Sequence, residues 1–303
     1  MISDEITPEH TYARAWQLLG ELEALRLDMG RNRDARVTLH TSNALPREVF
    51  CHARTIHRKA DQLCVELGGN SVRLPSAAEP ARARPSDVLL LLDGTRERLA
   101  LARTLLRIEG DAPSPELPGP LLPSSGKVAS DVLECCLVAS RQLNAMLSQA
   151  FASADSREQL IRALGLAQRL LALHGTELPA APPFERRKFP RDVFQVLWQV
   201  CEVQHRLLRD SGVPALEIHR GFVGEEPTDV YDLASLIVSE LEYLASFFSI
   251  IEAPLQAVAM QSPILPAHNF RLARQLQVAI GALAEAARAR PDWLRSVPDN
   301  SPT

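Results

Sequence analysis

Phe189-Pro190-Arg191-Asp192-Val193-Phe194 has the composition of a helix start. Proline at the first helical position gives up only an N–H that would lack an intrahelical acceptor, and its fixed φ suits the helix. Two residues later a carboxylate sits in the first turn. There it accepts from free N–H groups and faces the positive end of the helix dipole. The apolar residues that follow begin a buried face.

The pattern is Pro, any residue, an acid or His, an aliphatic, then an aromatic or Leu, and it returns along the whole chain. Copies stand at Pro8-Glu9-His10-Thr11-Tyr12, Pro46-Arg47-Glu48-Val49-Phe50, Pro85-Ser86-Asp87-Val88-Leu89, Pro227-Thr228-Asp229-Val230-Tyr231 and Pro266-Ala267-His268-Asn269-Phe270. Ala129-Ser130-Asp131-Val132-Leu133 has lost its proline, and the copy near Ser153 is the most degenerate. Glycines follow at the distance of a helix of about 22 residues, as Gly30, Gly68, Gly175 and Gly212. That is the place of the left-handed C′ residue.

The starts fall 38, 39 and 44 residues apart to Ala129, about 24 to Ser153, and then 37, 37 and 39 to Pro266. The expected fold is therefore all-α: eight helices in two related four-helix halves, 1–151 and 152–303, joined by long Pro-rich linkers. A period near 38 lies in the range of helical repeats. Each period here holds one helix and a linker, however, where a tetratricopeptide unit fits two helices into about 34 residues. Such a helix spans roughly 33 Å, and an extended 15-residue linker reaches about 50 Å. The linkers can thus run back along the helices, and successive helices are free to be parallel; the sequence leaves their orientation open.

At 303 residues with 46% hydrophobic content, the chain can bury an ample core. A net charge of −4 with mixed signs gives no whole-chain electrostatic case for nucleic acid or for an anionic membrane. No run approaches the roughly 18 apolar residues of a membrane span. The acidic amino end lacks an apolar h-region, so the expected compartment is cytoplasmic, or periplasmic if a leader has been removed. Five cysteines, Cys51, Cys64, Cys135, Cys136 and Cys201, make a disulfide framework an unlikely design and favour buried free thiols.

With these copies in view, the chain resembles a group of uncharacterised, often exported, bacterial proteins built from repeated helices that begin Pro-x-Asp/His-Val-Tyr. The resemblance covers nearly the whole chain. Ala129 in place of Pro, Leu89 and Leu133 in place of the aromatic, and the degraded start near Ser153 depart from the pattern. The chain also resembles the helical soluble component of bacterial sterol transport, which implies binding of an apolar ligand in the periplasm.

The first-turn groups Glu48, Asp87, Asp131, Asp192, Asp229, His10 and His268 are expected to cap helices, and the motif aromatics to pack in the core. Gly126-Lys127 lacks the upstream glycine, the following Ser or Thr, and the strand of a phosphate-binding loop. Cys201 and His205 share a helix face, but the chain has no Cys-x-x-Cys, His-Glu-x-x-His or Gly-x-Ser-x-Gly pattern. No catalytic, metal or cofactor site is therefore expected. His52 and His57 are expected to be exposed or capping. The basic runs Arg31–Arg36, Arg82–Arg84 and Arg186–Lys188 read as solvated faces, with a partner-binding patch as the alternative.

Large apolar groups concentrate in the second half, and the linker after Pro254 is itself apolar. Phe194, Trp198, Tyr231, Tyr243, Phe247, Phe248 and Met260 are the candidates to line a ligand site. The expected function is a non-enzymatic carrier of an apolar small molecule, lipid or sterol-like, held between helices. The alternative is a helical scaffold that binds a partner protein. The ligand, the partner and the oligomeric state are not readable from the sequence.

Overall fold

The computed structural model describes residues 6–32, 40–75, 80–106, 126–148, 151–219, 226–248, 250, 263–290 and 293–294. Among them lie eight α-helices: α1 (Pro8–Asp28), α2 (Pro46–Glu66), α3 (Pro85–Leu106), α4 (Ala129–Met146), α5 (Ser153–Leu173), α6 (Pro190–Asp210), α7 (Pro227–Ser246) and α8 (Pro266–Ala289). The fold is all-α. No described helix is long and apolar enough to cross a membrane.

The repeated motif begins every helix in one way. A residue in the N3 position accepts a hydrogen bond from the backbone N–H of the extended N-cap residue. Leu45 N donates to Glu48 at 2.6 Å, Arg84 N to Asp87 at 2.9 Å, Val128 N to Asp131 at 2.9 Å, Phe189 N to Asp192 at 2.7 Å and Glu226 N to Asp229 at 3.1 Å. In the two histidine copies, Thr7 N donates to His10 Nδ1 at 3.1 Å and Leu265 N to His268 Nδ1 at 3.0 Å. An accepting Nδ1 carries no proton, so each of these rings has its proton on Nε2. Burial alone would raise the Asp131 carboxyl. The Val128 N–H and the Lys127 ammonium outweigh that and hold it below the usual carboxylate range.

The degenerate copy proves regular in space: Ala152 N donates to Asp155 at 2.8 Å. At the other ends Gly30, Gly68, Gly175 and Gly212 have φ of 62°, 92°, 68° and 74°. Each sits in a six-to-one closure, such as Arg31 N to Arg26 O at 3.0 Å and Val213 N to Leu208 O at 3.0 Å.

The chain forms two compact units, Met1–Ala150 with Ile218–Phe222, and Phe151–Glu217 with Val223–Thr303. Phe151 thus joins the second unit, where its ring meets Tyr231 edge-on at 4.8 Å. In the first unit α1 packs on α3 and α4, and α2 packs on the same two, so the order around the bundle is α1, α3, α2, α4. In the second unit α5 packs on α7 and α8, and so does α6. One difference from the sequence reading is a pair of three-residue strands, β1 (His40–Ser42) and β2 (Glu217–His219), that hydrogen-bond to each other. Pairing satisfies backbone groups that neither segment can satisfy alone, and it places Ile218 and His219 with the first unit.

All four helices of each unit run parallel. Between α1 and α3, Arg14 pairs with Asp93 at 2.9 Å, Glu21 with Arg96, and Asp28 with Arg103 at 3.1 Å, so both sequences ascend together. Between α2 and α4, Ala44 N meets Ser130 Oγ at 3.0 Å near the starts, Lys59 Nζ donates to Ser140 Oγ at 2.8 Å midway, and Ser148 N donates to Glu66 at 2.7 Å near the ends. Gly94 beside His57, Arg98 3.1 Å from Asp61, and Leu105 beside Gly69 give the same sense for α2 and α3.

In the second unit Ser156 Oγ donates to Pro227 O at 2.9 Å, Arg162 pairs with Glu242, Gln204 donates to Ile237 O at 3.1 Å, and Gln277 donates to Gln199 at 2.6 Å. Asn269 Nδ2 donates to Ser153 O at 2.7 Å, beside the starts of α5 and α8. Parallel neighbours bring like dipole ends together, which is unfavourable. Six carboxylates at the positive ends offset it. An acid at six of the eight starts thus suits the parallel arrangement.

The cores are apolar and closed, with Leu18, Leu22, Phe50, Ile56, Leu91, Leu99, Leu133 and Leu143 fully buried in the first unit. Leu160, Leu170, Leu197, Leu233, Leu241, Leu276 and Ile280 do the same in the second. His52 and His57 are buried as well, against the expectation of exposed or capping roles. The reason for His57 is on α3: Gly94, mid-helix, leaves room for its ring. A Cβ at Gly94 would come within 3.0 Å of Pro75 Cγ and 3.2 Å of the His57 ring. Burial lowers the His57 pKa, the Arg98 charge also lowers it, and Asp61 and Glu97 oppose them.

Helical glycines therefore divide by surroundings. Gly20 and Gly281 have open space around the missing Cβ, so Gly20→Ala and Gly281→Ala should each stabilise by roughly 0.5–1 kcal/mol in chemical denaturation. Gly94→Ala should instead destabilise by about 1–2 kcal/mol, because overpacking outweighs propensity. A stabilising Gly94→Ala would show that Pro75 and His57 yield freely.

Candidate functional site

The N-terminal carboxylates accept from the N-cap N–H groups. What remains is the apolar set of the second unit, a charged cleft in the first, and the thiols.

Phe194 and Trp198 lie one turn apart on α6, with ring centroids 6.4 Å apart and exposures of 3% and 9%. The Trp198 Nε1–H donates to Glu202 at 3.0 Å. Tyr231, 4% exposed, meets Phe151 near the start of α7. These three rings are buried; Phe194 and Tyr231 follow the expectation for motif aromatics, and Trp198 joins them in the core.

Tyr243, Phe247 and Phe248 differ, being half-buried at the opposite end of α7. Tyr243 and Phe247 meet edge-on at 5.0 Å. Phe248 stacks on Trp293 at 5.3 Å, and His174 lies against the same indole at 5.1 Å. Trp293 Nε1–H donates to Ser211 Oγ at 3.2 Å. Parallel packing is what gathers the ends of α5, α6 and α7 around one indole. Burial lowers the His174 pKa, with a further contribution from Arg290. Trp293 was not singled out in the sequence. It lies past Pro291, which ends the eighth helix, and no periodic pattern extends that far. Met260 and the apolar linker from residue 251 to 262 lie outside the described residues.

The cleft between α1 and α3 measures about 500 Å³ and is lined by Arg14, Glu21, Asp93, Arg96, Glu97, Ala100 and Arg103. Its rungs are the Arg14–Asp93, Glu21–Arg96 and Asp28–Arg103 pairs. On α1 these residues recur every seven positions, the spacing that keeps one edge of a helix beside a parallel neighbour. This cleft is polar and open, unlike a site for an apolar ligand.

Burial raises the pKa of Cys64, Cys135, Cys136 and Cys201, so these four thiols are not activated. Burial pushes Cys135 up to about 12, helped by Asp131 and Glu134. Cys201 is also raised by burial, with Glu240 and Glu202 adding to it. His205 turns its Nδ1 to the Leu216 carbonyl at 3.3 Å. Among the described residues no group of three or more His, Cys, Asp or Glu side chains is placed to hold a metal ion. In comparison with known proteins, no family model, no curated protein and no solved structure matches this chain at a significant level.

Proposed function

We propose that the chain is a non-catalytic binding protein for an apolar small molecule of lipid or sterol type, taken up at the C-terminal end of α7. One observation carries the reading. Tyr243, Phe247 and Phe248 stay half-buried at the end of α7, the first two against each other and Phe248 on Trp293, whereas Phe194, Trp198 and Tyr231 are packed away. Rings left partly in water gain roughly 25 cal/mol per Å² when an apolar ligand covers them, before ordering costs. Trp293 sits within reach as a reporter.

Titration with a fluorescent sterol should give energy transfer from tryptophan that falls in Trp293→Phe and weakens at least about tenfold in affinity for Phe247→Ser, the loss of one aromatic contact. Asp192→Ala, at the far end of the helices, should cost about 1 kcal/mol of stability and leave the affinity unchanged. Absence of transfer in the wild type, with neither sterol nor fatty-acid probes bound, would end this reading.

The charged cleft supports a second reading, a scaffold for a partner protein with alternating charge. Salt-sensitive association in host extracts that Glu97→Lys abolishes, without any sterol binding, would favour it.

A further inference from the structure

We propose that the starts of α6 and α8, with the segment leading into α6, form a docking surface for an anionic membrane leaflet. This inference is independent of the ligand reading. α6 and α8 pack side by side and parallel, so their starts share one end of the second unit. The segment before α6 crosses the start of α8. Arg271 donates to Pro182 O at 2.8 Å, the Phe184 ring lies 5.2 Å from the His268 ring, and Lys188 Nζ sits 4.2 Å over the Phe270 ring.

Three large apolar side chains stand out from this end: Phe184 is 43% exposed, Phe189 56% and Leu265 49%. Phe189 and Leu265 are the N-cap residues of α6 and α8, where Ser, Thr or Asp would serve the helix better. Apolar residues also stand at the N-caps Leu45, Val128 and Ala152, and the Arg191 guanidinium lies 5.4 Å over the Phe189 ring. What marks this surface is that Phe184, Phe189 and Leu265 are exposed together beside arginines.

Arg186, Arg187 and Arg191 are exposed among these side chains. Of the local acids, Glu185 pairs with Lys188 at 2.8 Å and Asp192 caps Phe189 N. The surface made by residues 184–191 and the start of α8 is therefore cationic in a chain whose net charge is −4, a local imbalance that whole-chain composition averages away. Arginines bind phosphate oxygens through paired N–H groups. Aromatic and leucine side chains settle at the boundary between headgroups and acyl chains. An apolar phase behind a layer of anionic phosphates is what a bilayer with acidic lipids presents. An acidic protein surface offers the charge alone.

Co-sedimentation of the full chain with phosphatidylcholine vesicles, with and without phosphatidylserine, tests this. Binding should need phosphatidylserine and weaken as salt rises. Arg186→Gln with Arg187→Gln and Arg191→Gln should reduce partitioning about a hundredfold, since each cation near the surface contributes a factor of roughly five. Phe189→Ser, which installs a better cap and so preserves the fold, should reduce it about tenfold. Unchanged helicity and melting would show that the loss is one of contact. Equal binding to neutral vesicles, or none to either kind, overturns the proposal. So does retention on polyglutamate without vesicle binding, which would assign the surface to an acidic protein.

Discussion

Trp293→Ala is expected to lower the stability of the second unit by about 3–4 kcal/mol, the range for removing a buried tryptophan. The indole is 6% exposed and touches three helix ends at once: His174 after α5, Ser211 after α6, and Phe248 after α7. In an antiparallel bundle, one short connection would tie neighbouring ends together. Parallel helices have no such ties, because every connection must return to the opposite end. A single large side chain laid across the ends replaces them. Trp293→Phe should recover most of the loss while forfeiting the Nε1–H bond to Ser211, worth roughly 1 kcal/mol. Chemical denaturation followed by far-UV circular dichroism checks both. A loss for Trp293→Ala below about 1 kcal/mol would mean that the ends hold together without the indole.

The repeat made much of this fold legible. Proline, acid and terminating glycine are local signals, each explained by backbone groups within four residues, and the structure places all of them as caps. Asp155 was the exception at the starts, because no proline or aromatic accompanies it. Its role is visible only through the Ala152 N–H that it accepts.

Orientation was not legible. Linker length permits parallel packing but does not require it, and the deciding contacts join residues about 75 to 80 positions apart, as in Glu21–Arg96 and Lys59–Ser140. His57 was misjudged for a related reason. Its burial depends on a missing Cβ at Gly94 on another helix, and nothing in the local sequence of α2 records that vacancy. The candidate ligand residues were separable by type but not by place: spacing alone does not tell Phe194, which is core, from Phe247, which is half-buried. The basic run Arg186–Lys188 was visible in the sequence, but the exposed Leu265 near it belongs to another helix start.

A comparable loss, about 3 kcal/mol, is expected for Arg98→Ala, because it leaves Asp61 charged and largely buried without its counter-ion. The two side chains are only 7% and 14% exposed, with Arg98 Nε 3.1 Å from Asp61 Oδ1. Arg98 also donates to Asn70 O at 2.6 Å, while Asp61 accepts from Ser71 Oγ at 2.6 Å and Val72 N at 3.1 Å. The pair therefore ties α2 to α3 and holds the chain that leaves α2 as it begins its run back toward the start of α3. Lysine has one charge centre where this site uses separate faces of a guanidinium. Arg98→Lys should accordingly recover less than half of the loss. The decisive measurement is a double-mutant cycle in urea. Asp61→Ala alone should also destabilise, and the double variant should be less damaged than the sum by about 2 kcal/mol. Additive effects would show that the two residues act separately, Arg98 through Asn70 and Asp61 through Ser71, and that the turn after α2 is held by hydrogen bonds rather than by the ion pair.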